Sequence, residues 1–569
     1  MPSGAAPRRR VAAGRGRWGG AGPGLPGQPG RVASRPGRCR SRGPPRTVRR
    51  PGGPSGARRA VPGPPAGPVR LYVRAAPKRR AFRDTGFCPP ARRCCGRRGS
   101  GMSRAALYGG HRVNIAFVST LAAGGAAQGA ENTFRAFLAA GHAATFLTLE
   151  GQAAKGFLPL ADTFPSSQGL RPVGRLFRHW QALSDPLALA QGASELFSDA
   201  ATGLFRLGDA ARQALSEADV VNIHWNAGIL LSPDFLAALA GKNIVLTLAD
   251  LGPLTGGCHY HLACRRFEAA CGRCPVLRRS GAQDASRRNH GLKRRVYGLL
   301  RPSVIALSRW LADEARASSL LGHRPITHLR YTYPLDVFRP LGPDERQAVL
   351  RRLGLPPQAL VILAGAYGLD CGRKNIAALV RAVERLRAAL PGRALELVTY
   401  GYGSPPPAAF PIRHVGFIDN SAMGELYGVA DLFVHPAVAE ALGNTLCEAQ
   451  CCGTPVVSFN VGGCPEAYRP GVTGFCVEPA SEDALYAALA GIVANPGQLA
   501  PMRRAAREFA MAAFSPHKHV EASAAWMAAA ETARSLAEYP GLGADLADNA
   551  RQSQRLFAAS DRGQGIRRA

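Results

Sequence analysis

From Val113 onwards, short apolar runs alternate with helix-patterned stretches, and the alternation happens twice. Residues 113–118, 144–149, 219–226, 242–250 and 304–310 form the first series. Residues 360–364, 395–400, 412–417 and 431–435 form the second. Runs that are apolar on both faces suit strands covered by helices on both sides, which is the setting of a parallel sheet. Strand, loop, helix, strand is also how a nucleotide-binding domain begins. Two such series predict an α/β protein with two Rossmann-like domains, at 102–339 and 340–510, joined near Asp336-Val-Phe-Arg-Pro340. The Gly124-Gly125 pair after the first run does not spell the dinucleotide fingerprint, so no NAD site is inferred.

The first 101 residues are of another kind. They hold 25 Lys/Arg and one acid, Asp84, a net of +24, which leaves +10 of the chain's +34 for everything after them. Arg, Gly, Pro and Ala without apolar periodicity bury too little surface to offset chain entropy. Three readings compete: a basic disordered arm for nucleic acid or an anionic membrane, an Arg-rich transit peptide, or a start site placed too far upstream of Met102. The third is preferred. No run of eighteen apolar residues and no signal peptide before His111 is seen. The expectation is a cytoplasmic protein, with a peripheral position on the inner face of the membrane as the variant.

The second series carries Glu440-Ala-Leu-Gly-Asn-Thr-Leu-Cys-Glu448, followed by Ala449-Gln-Cys-Cys-Gly-Thr-Pro-Val-Val457. Gly443 and Asn444 are poor helix-interior residues and good helix starters. Glu440 is therefore expected on a loop, with a helix over 446–451, Gly453 at its end and Pro455 beyond. A helix N-terminus offers free N–H groups from Gly443, Asn444 and Thr445 to an anion such as a diphosphate. Glu448 can accept hydroxyl hydrogen bonds, as from a ribose, and Glu440 can face a sugar ring. Arg373 and Lys374 precede the helix expected from Ile376, where fixed cations and free N–H groups suit a diphosphate.

In order over 364–479, this half resembles the retaining GT-B glycosyltransferases of family 4. The shared pattern is an acid, seven residues, a second acid, the Cys-Gly-Thr-Pro-Val-Val run, and Gly462-Gly463 with the following Glu466. The resemblance implies two domains facing a central cleft and a last helix, within 511–540, crossing back onto the first domain, ahead of a polar tail at 541–569. It implies a nucleoside-diphosphate sugar as donor and a saccharide or lipid-diphosphate-linked acceptor. Glu440 would then serve the transferred sugar, and Arg373, Lys374, Gly443, Asn444, Thr445 and Glu448 would hold the nucleotide. No cofactor would be required for catalysis. The family has Lys-Gly where this chain has Lys374-Asn375, and an Arg near Leu369, so Arg373 would replace that Arg.

At the C-terminal ends of the first series lie His224, Trp225, Asn226 and Asp250, where ligands gather in open parallel sheets. The family has His-Asp where this chain has Ala249-Asp250, so His224 or a neighbour would stand in for the missing histidine beside Asp250. Next comes a Cys-rich insertion at 255–275, with Cys258, Cys264, Cys271 and Cys274 in seventeen residues. Its spacing suits a structural zinc, free thiols or a disulfide pair, with His259 and His261 as spare metal ligands. Thr255-Gly-Gly-Cys-His-Tyr260 and Cys271-Gly-Arg-Cys-Pro275 resemble the exopolysaccharide or colanic-acid subgroup of the family. Residues 265–301 hold eleven Lys/Arg against two acids, a solvated face or one that meets anionic lipid. Two rival classes remain: a sugar-nucleotide-binding protein that no longer turns its ligand over, for which Ala249 speaks, and a nucleic-acid-binding protein acting through the arm. Nucleic acid is the less favoured partner.

Overall fold

The computed structural model describes residues 113–149, 151–161, 206–278, 280–528, 541–542 and 544–546. All of them belong to one compact unit, Val69–Ala569. The basic segment 1–101, residues 529–540 of the expected return segment and nearly all of the expected tail lie outside them.

Each apolar series forms its own sheet, and every strand pairing within the two sheets is parallel. The first sheet contains, in chain order, β1 Asn114–Ser119, β2 Ala143–Thr148, β3 Leu158–Pro159, β4 Val220–Ile223, β5 Asn243–Leu248, β6 Ser303–Ala306 and β7 Ile326–His328. Among the described residues its spatial order is β3-β2-β1-β4-β5-β6-β7. The second sheet contains β8 Leu360–Gly368, β9 Leu395–Tyr402, β10 Arg413–His414, β11 Leu432–His435, β12 Val456–Phe459 and β13 Gly474–Val477, in the order β10-β9-β8-β11-β12-β13. Both orders reverse direction at one place, between β1 and β4 and between β8 and β11. Loops leaving the carboxyl ends of those strand pairs diverge and leave a crevice.

Alternating side chains build two cores on each sheet. Ile115, Phe117, Phe146, Val220, Val245 and Ile305 face Phe134 and Phe137 of the Gly125–Ala139 helix. Val520 and Met527 of the Pro516–Ala528 helix join that same cluster, so the chain returns to the first sheet after completing the second. Val118, Leu147, Val221 and Leu246 point the other way, onto Phe235, Val296 and Leu311. In the second sheet Ile362, Leu397, Leu432 and Val457 meet Leu379, Val383 and Leu489. Val361, Leu363, Val398 and Phe433 meet Tyr427, Leu446 and Phe514 on the opposite face.

Element ends depart from the sequence expectations in places. The first helix runs Gly125–Ala139, so Gly125 of the glycine pair after the first run is already helical. Gly124, at φ 95°, breaks the chain, and the alanine-rich GAAQGA segment is itself helix-forming. The helix expected over 446–451 already begins at Asn444, directly after Gly443 at φ 89°. The strand expected over 412–417 is only Arg413–His414.

Candidate active site

The reversal point of the second sheet delivers one acid and two cations to the same spot. β8 leads into the loop with Arg373 and Lys374, and β11 leads into the loop with Glu440. The Lys374 ammonium donates to Glu440 Oε2, and Arg373 Nη1 reaches the same oxygen at 3.2 Å. His435 Nε2 lies 3.3 Å from it. The other oxygen, Oε1, accepts from the Tyr260 hydroxyl at 3.1 Å and from the Ala441 N–H at 3.2 Å. Burial alone would raise the Glu440 pKa. Lys374, the contact with His435, and Arg373 outweigh it and hold the carboxyl well below the usual range. Burial and Lys374 lower His435 to about 4, so that ring is neutral at ordinary pH. The backbone of Glu440 is fixed as well. The Gly463 N–H donates to its carbonyl at 3.1 Å, and a Cβ on Gly462 would stand 1.9 Å from that oxygen. The Gly-Gly turn is therefore needed for close approach.

The helix Asn444–Cys451 starts four residues after Glu440. Asn444 lies at the junction of the domains: its Oδ1 accepts from the Tyr333 hydroxyl at 3.0 Å, and its Nδ2 donates to the Gly125 carbonyl at 2.8 Å. Thr445 Oγ1 sits 3.5 Å from His435 Nδ1. One turn further, Glu448 is buried and accepts from the Tyr427 hydroxyl at 2.9 Å, which in turn lies 3.0 Å from the Tyr400 hydroxyl. Burial pushes the Glu448 carboxyl up to about 7, with the Tyr427 hydrogen bond opposing. Two acids eight positions apart thus titrate differently, Glu440 held as an anion and Glu448 near its midpoint at neutral pH.

On the first domain, Asp250 Oδ2 is 2.8 Å from His259 Nδ1, and Oδ1 accepts from the Gly252 N–H at 2.8 Å. Burial would raise the Asp250 pKa, but His259, that backbone N–H and Lys293 keep it low. The structure therefore brings Asp250 and His259 together, beside the Trp225 ring at 6.2 Å from His259. His224 is placed differently. It lies in the core, stacked on Phe117 and Tyr331, with Nδ1 3.0 Å from the Tyr331 hydroxyl. Burial, helped by His519, lowers its pKa to about 3. The residue beside Asp250 is thus His259, which the sequence suggested only as a spare metal ligand.

The four insertion cysteines are all free thiols. Cys258 and Cys274 Sγ lie 3.6 Å apart, and Cys271 Sγ accepts from the Gly256 N–H at 3.3 Å. Among the described residues no three His, Cys, Asp or Glu side chains are grouped so as to hold a metal ion. An aromatic cluster was not foreseen. Tyr367, Tyr402 and Phe417 are exposed at the ends of β8 and β9 and beyond β10, with the Tyr402 and Phe417 rings stacked at 4.2 Å.

Contacts across the cleft are specific. Ser308 Oγ donates to the Ala441 carbonyl at 2.7 Å and accepts from the Leu311 N–H at 3.1 Å as the cap of the Arg309–Ala317 helix. The Glu466 carboxylate takes the Arg309 and Trp310 N–H groups at 2.7 and 2.8 Å. One domain's acid thus neutralises the other's helix N-terminus.

Residues 358–495 match the family model described as Glycosyl transferases group 1. The D-inositol 3-phosphate glycosyltransferase 2 of Catenulispora acidiphila is 32% identical over 193 residues, 31% of this chain and 44% of that protein. The GDP-mannose-dependent alpha-(1-6)-phosphatidylinositol monomannoside mannosyltransferase of Mycolicibacterium smegmatis is 29% identical over 268 residues, 42% of this chain and 68% of that protein. The chain spans about half the length of the curated relatives it matches. Among solved structures, sucrose-phosphate synthase from Thermosynechococcus elongatus superposes with a TM-score of 0.52 at 18% identity, over 73% of this chain and 98% of that one. Anabaena Alr3699/HepE in complex with UDP and glucose gives 0.50 at 16%, over 74% and 100%. The fold is that of the GT-B glycosyltransferases, two Rossmann-like domains across a cleft, and the second domain carries the group 1 glycosyl transferase pattern.

Proposed function

We propose that the protein is a glycosyltransferase that moves a hexose from a nucleoside-diphosphate sugar to a saccharide or lipid-diphosphate-linked acceptor, with retention, in polysaccharide biosynthesis. The observation that carries this is the convergence of Arg373 and Lys374 on Glu440 beside the tip of the Asn444–Cys451 helix. An acid with two cations and a free helix N-terminus within one turn is a ready site for a diphosphate next to a sugar. As the glycosidic bond breaks, Arg373, Lys374 and the N–H groups at 443–445 would stabilise the leaving diphosphate, supplying positive charge from side chains and backbone. Glu440 would face the sugar and stabilise positive charge at its anomeric carbon. Glu448 would accept from the ribose, and the Tyr402–Phe417 stack offers a flat face to the base. Asp250, paired with His259, lies on the acceptor side. The two relatives named above act on inositol-phosphate and phosphatidylinositol-mannoside acceptors according to their descriptions, which fits a phosphorylated acceptor at the cytoplasmic face of a membrane. No described helix is long and apolar enough to cross one.

A thermal-shift panel of nucleotide sugars tests the reading, because a ligand that binds only the native state raises the melting point. One donor should raise it, and Glu448→Ala should remove about nine-tenths of the affinity, the worth of one charge-assisted hydrogen bond. The same donor should then be consumed with acceptor mixtures and keep its anomeric configuration in the product. No shift with any donor would overturn the proposal. A shift without turnover would instead favour the silent reading that Ala249 suggests.

A further inference from the structure

We propose that Tyr260 is a positioning residue for Glu440, carried across the cleft from the first domain on a preorganised strap, so that the acid is set only when the two domains are together. The inference rests on the glycosyltransferase reading, in which Glu440 faces the transferred sugar.

The strap runs from Gly252 to Tyr260, a 3-10 turn at Gly252–Leu254 followed by irregular backbone, and it is held by side chains rather than by a ladder. Its consecutive carbonyls from Gly252 to Gly256 are all occupied. Lys293 Nζ donates to Gly252 and Thr255 at 2.7 and 3.0 Å, and the Tyr297 hydroxyl donates to Pro253 at 3.0 Å. Ser318 Oγ donates to Leu254 at 2.9 Å, and Asn289 Nδ2 to Gly256 at 3.1 Å. Gly256 lies so close to the helix Ala285–Leu300 that a Cβ there would stand 2.0 Å from the Ser286 carbonyl. Every donor belongs to the first domain, so the strap moves with it. At its end, Tyr260 is 7% exposed and makes two contacts with the second domain. Its hydroxyl donates to Glu440 Oε1, and its ring lies 4.5 Å beneath the Arg373 guanidinium.

The two oxygens of Glu440 divide the work. Oε2 faces the neutral His435 ring and the cations of Lys374 and Arg373, and these two cations turn toward a diphosphate when the donor arrives. Oε1 faces only Tyr260 and the Ala441 N–H among its hydrogen-bond donors. When the cations move off, Tyr260 and that N–H keep the carboxylate in place and ionised. The hydroxyl and the ring therefore have separable effects, one on Glu440 and one on Arg373.

Two variants separate them. Tyr260→Phe should lower kcat by roughly 10- to 100-fold with KM for the donor within about twofold, the expected loss for one hydrogen bond to a charged acceptor. It should also move the acid limb of the kcat–pH profile to higher pH, since Glu440 loses a donor that favours its ionised form. The other groups facing Glu440, namely Lys374, Arg373, His435 and the buried Cys464 thiol, are unchanged by this substitution. Tyr260→Ala should add a rise in KM of about tenfold, because Arg373 loses its platform. A readout independent of turnover is the double-mutant cycle of Tyr260→Phe and Glu440→Gln on melting temperature, which should show coupling rather than additivity. If Tyr260→Phe keeps wild-type kcat and pH profile, or if the cycle is additive, Tyr260 is packing only and the inference is overturned. A wild-type protein that binds no donor would sink the functional reading instead, and the cycle would still decide whether Tyr260 holds Glu440.

Discussion

At the scale of single residues, the site is defined by how differently two carboxylates are treated. Glu440 has cations on one oxygen and donors on the other, whereas Glu448 has only the Tyr427 hydroxyl and a buried setting. The first contrast predicts that Lys374→Ala lowers turnover by about 100-fold, the scale seen when one preorganised charge contact to a leaving group is lost. Steady-state kinetics would show it, against an exposed pair such as Arg385 with Asp483, whose loss should leave kcat unchanged. The second contrast gives a pH effect. The Glu448 carboxyl is raised from 4.5 to about 7 in the folded protein, so the native state holds that proton more tightly than the unfolded chain. Its contribution to stability is complete below about pH 4.5 and is lost as pH rises through 7. Glu448→Gln removes this loss. Relative to the parent, the variant should gain up to roughly 3 kcal/mol between pH 4.5 and pH 8, read from denaturant midpoints at each pH. A flat difference across that range would mean Glu448 is ionised in the fold throughout.

Between residue and domain, the elements differ in how openly the sequence announces them. The strands were legible because each is a short apolar run, and their register follows once one face is buried, as with Phe117 beside Phe146 and Asn222. Residue type and spacing alone favour solvated charges for the acid pair and the Arg373-Lys374 loop; the ordered resemblance over 364–479 singled them out, and the structure brings Arg373, Lys374 and Glu440 together. The strap was not, because its carbonyls are satisfied by Asn289, Lys293, Tyr297 and Ser318, tens of positions away, and no local pattern shows such pairings. For the same reason the basic run was read as one face. In the structure Arg287, Arg288 and Arg294 are exposed, while Lys293 is 6% exposed and buried against the strap. Lys293→Met should therefore cost roughly 2–4 kcal/mol by leaving the Thr255 carbonyl without its Lys293 donor and the Gly252 carbonyl with the Thr255 N–H at 3.4 Å in place of the ammonium, and turnover should fall with it as Tyr260 slackens. Arg288→Ala should stay within about 0.5 kcal/mol. Urea titration of both variants checks the pair. Equal, small effects would mean that the strap is held by its remaining bonds.

Across the whole molecule, the two sheets present their reversal points to one cleft, and what holds that cleft is the way the chain crosses it. The chain leaves the first sheet after β7, builds the second, and returns through the helices Leu499–Ala513 and Pro516–Ala528. Phe514, between them, packs with Tyr333 and Phe433 in a cluster of the second sheet, and Val520 and Met527 pack with Phe117 and Phe137 on the first. Two crossings restrain the domains more than one linker could, and the second crossing is anchored by apolar burial on both sides. Met527 is fully buried, so Met527→Ala should cost about 2–5 kcal/mol, the range for truncating a buried Met. The loss should fall on the first domain alone, because the second keeps its own two cores. Differential scanning calorimetry should then show the parent's transition split, with the first domain melting earlier. A donor that binds across the cleft should bring the two transitions back together, because each domain supplies part of its site through Tyr260 and Asn444. A single lowered transition that no donor alters would mean that the return helix stabilises the fold without governing how the domains meet.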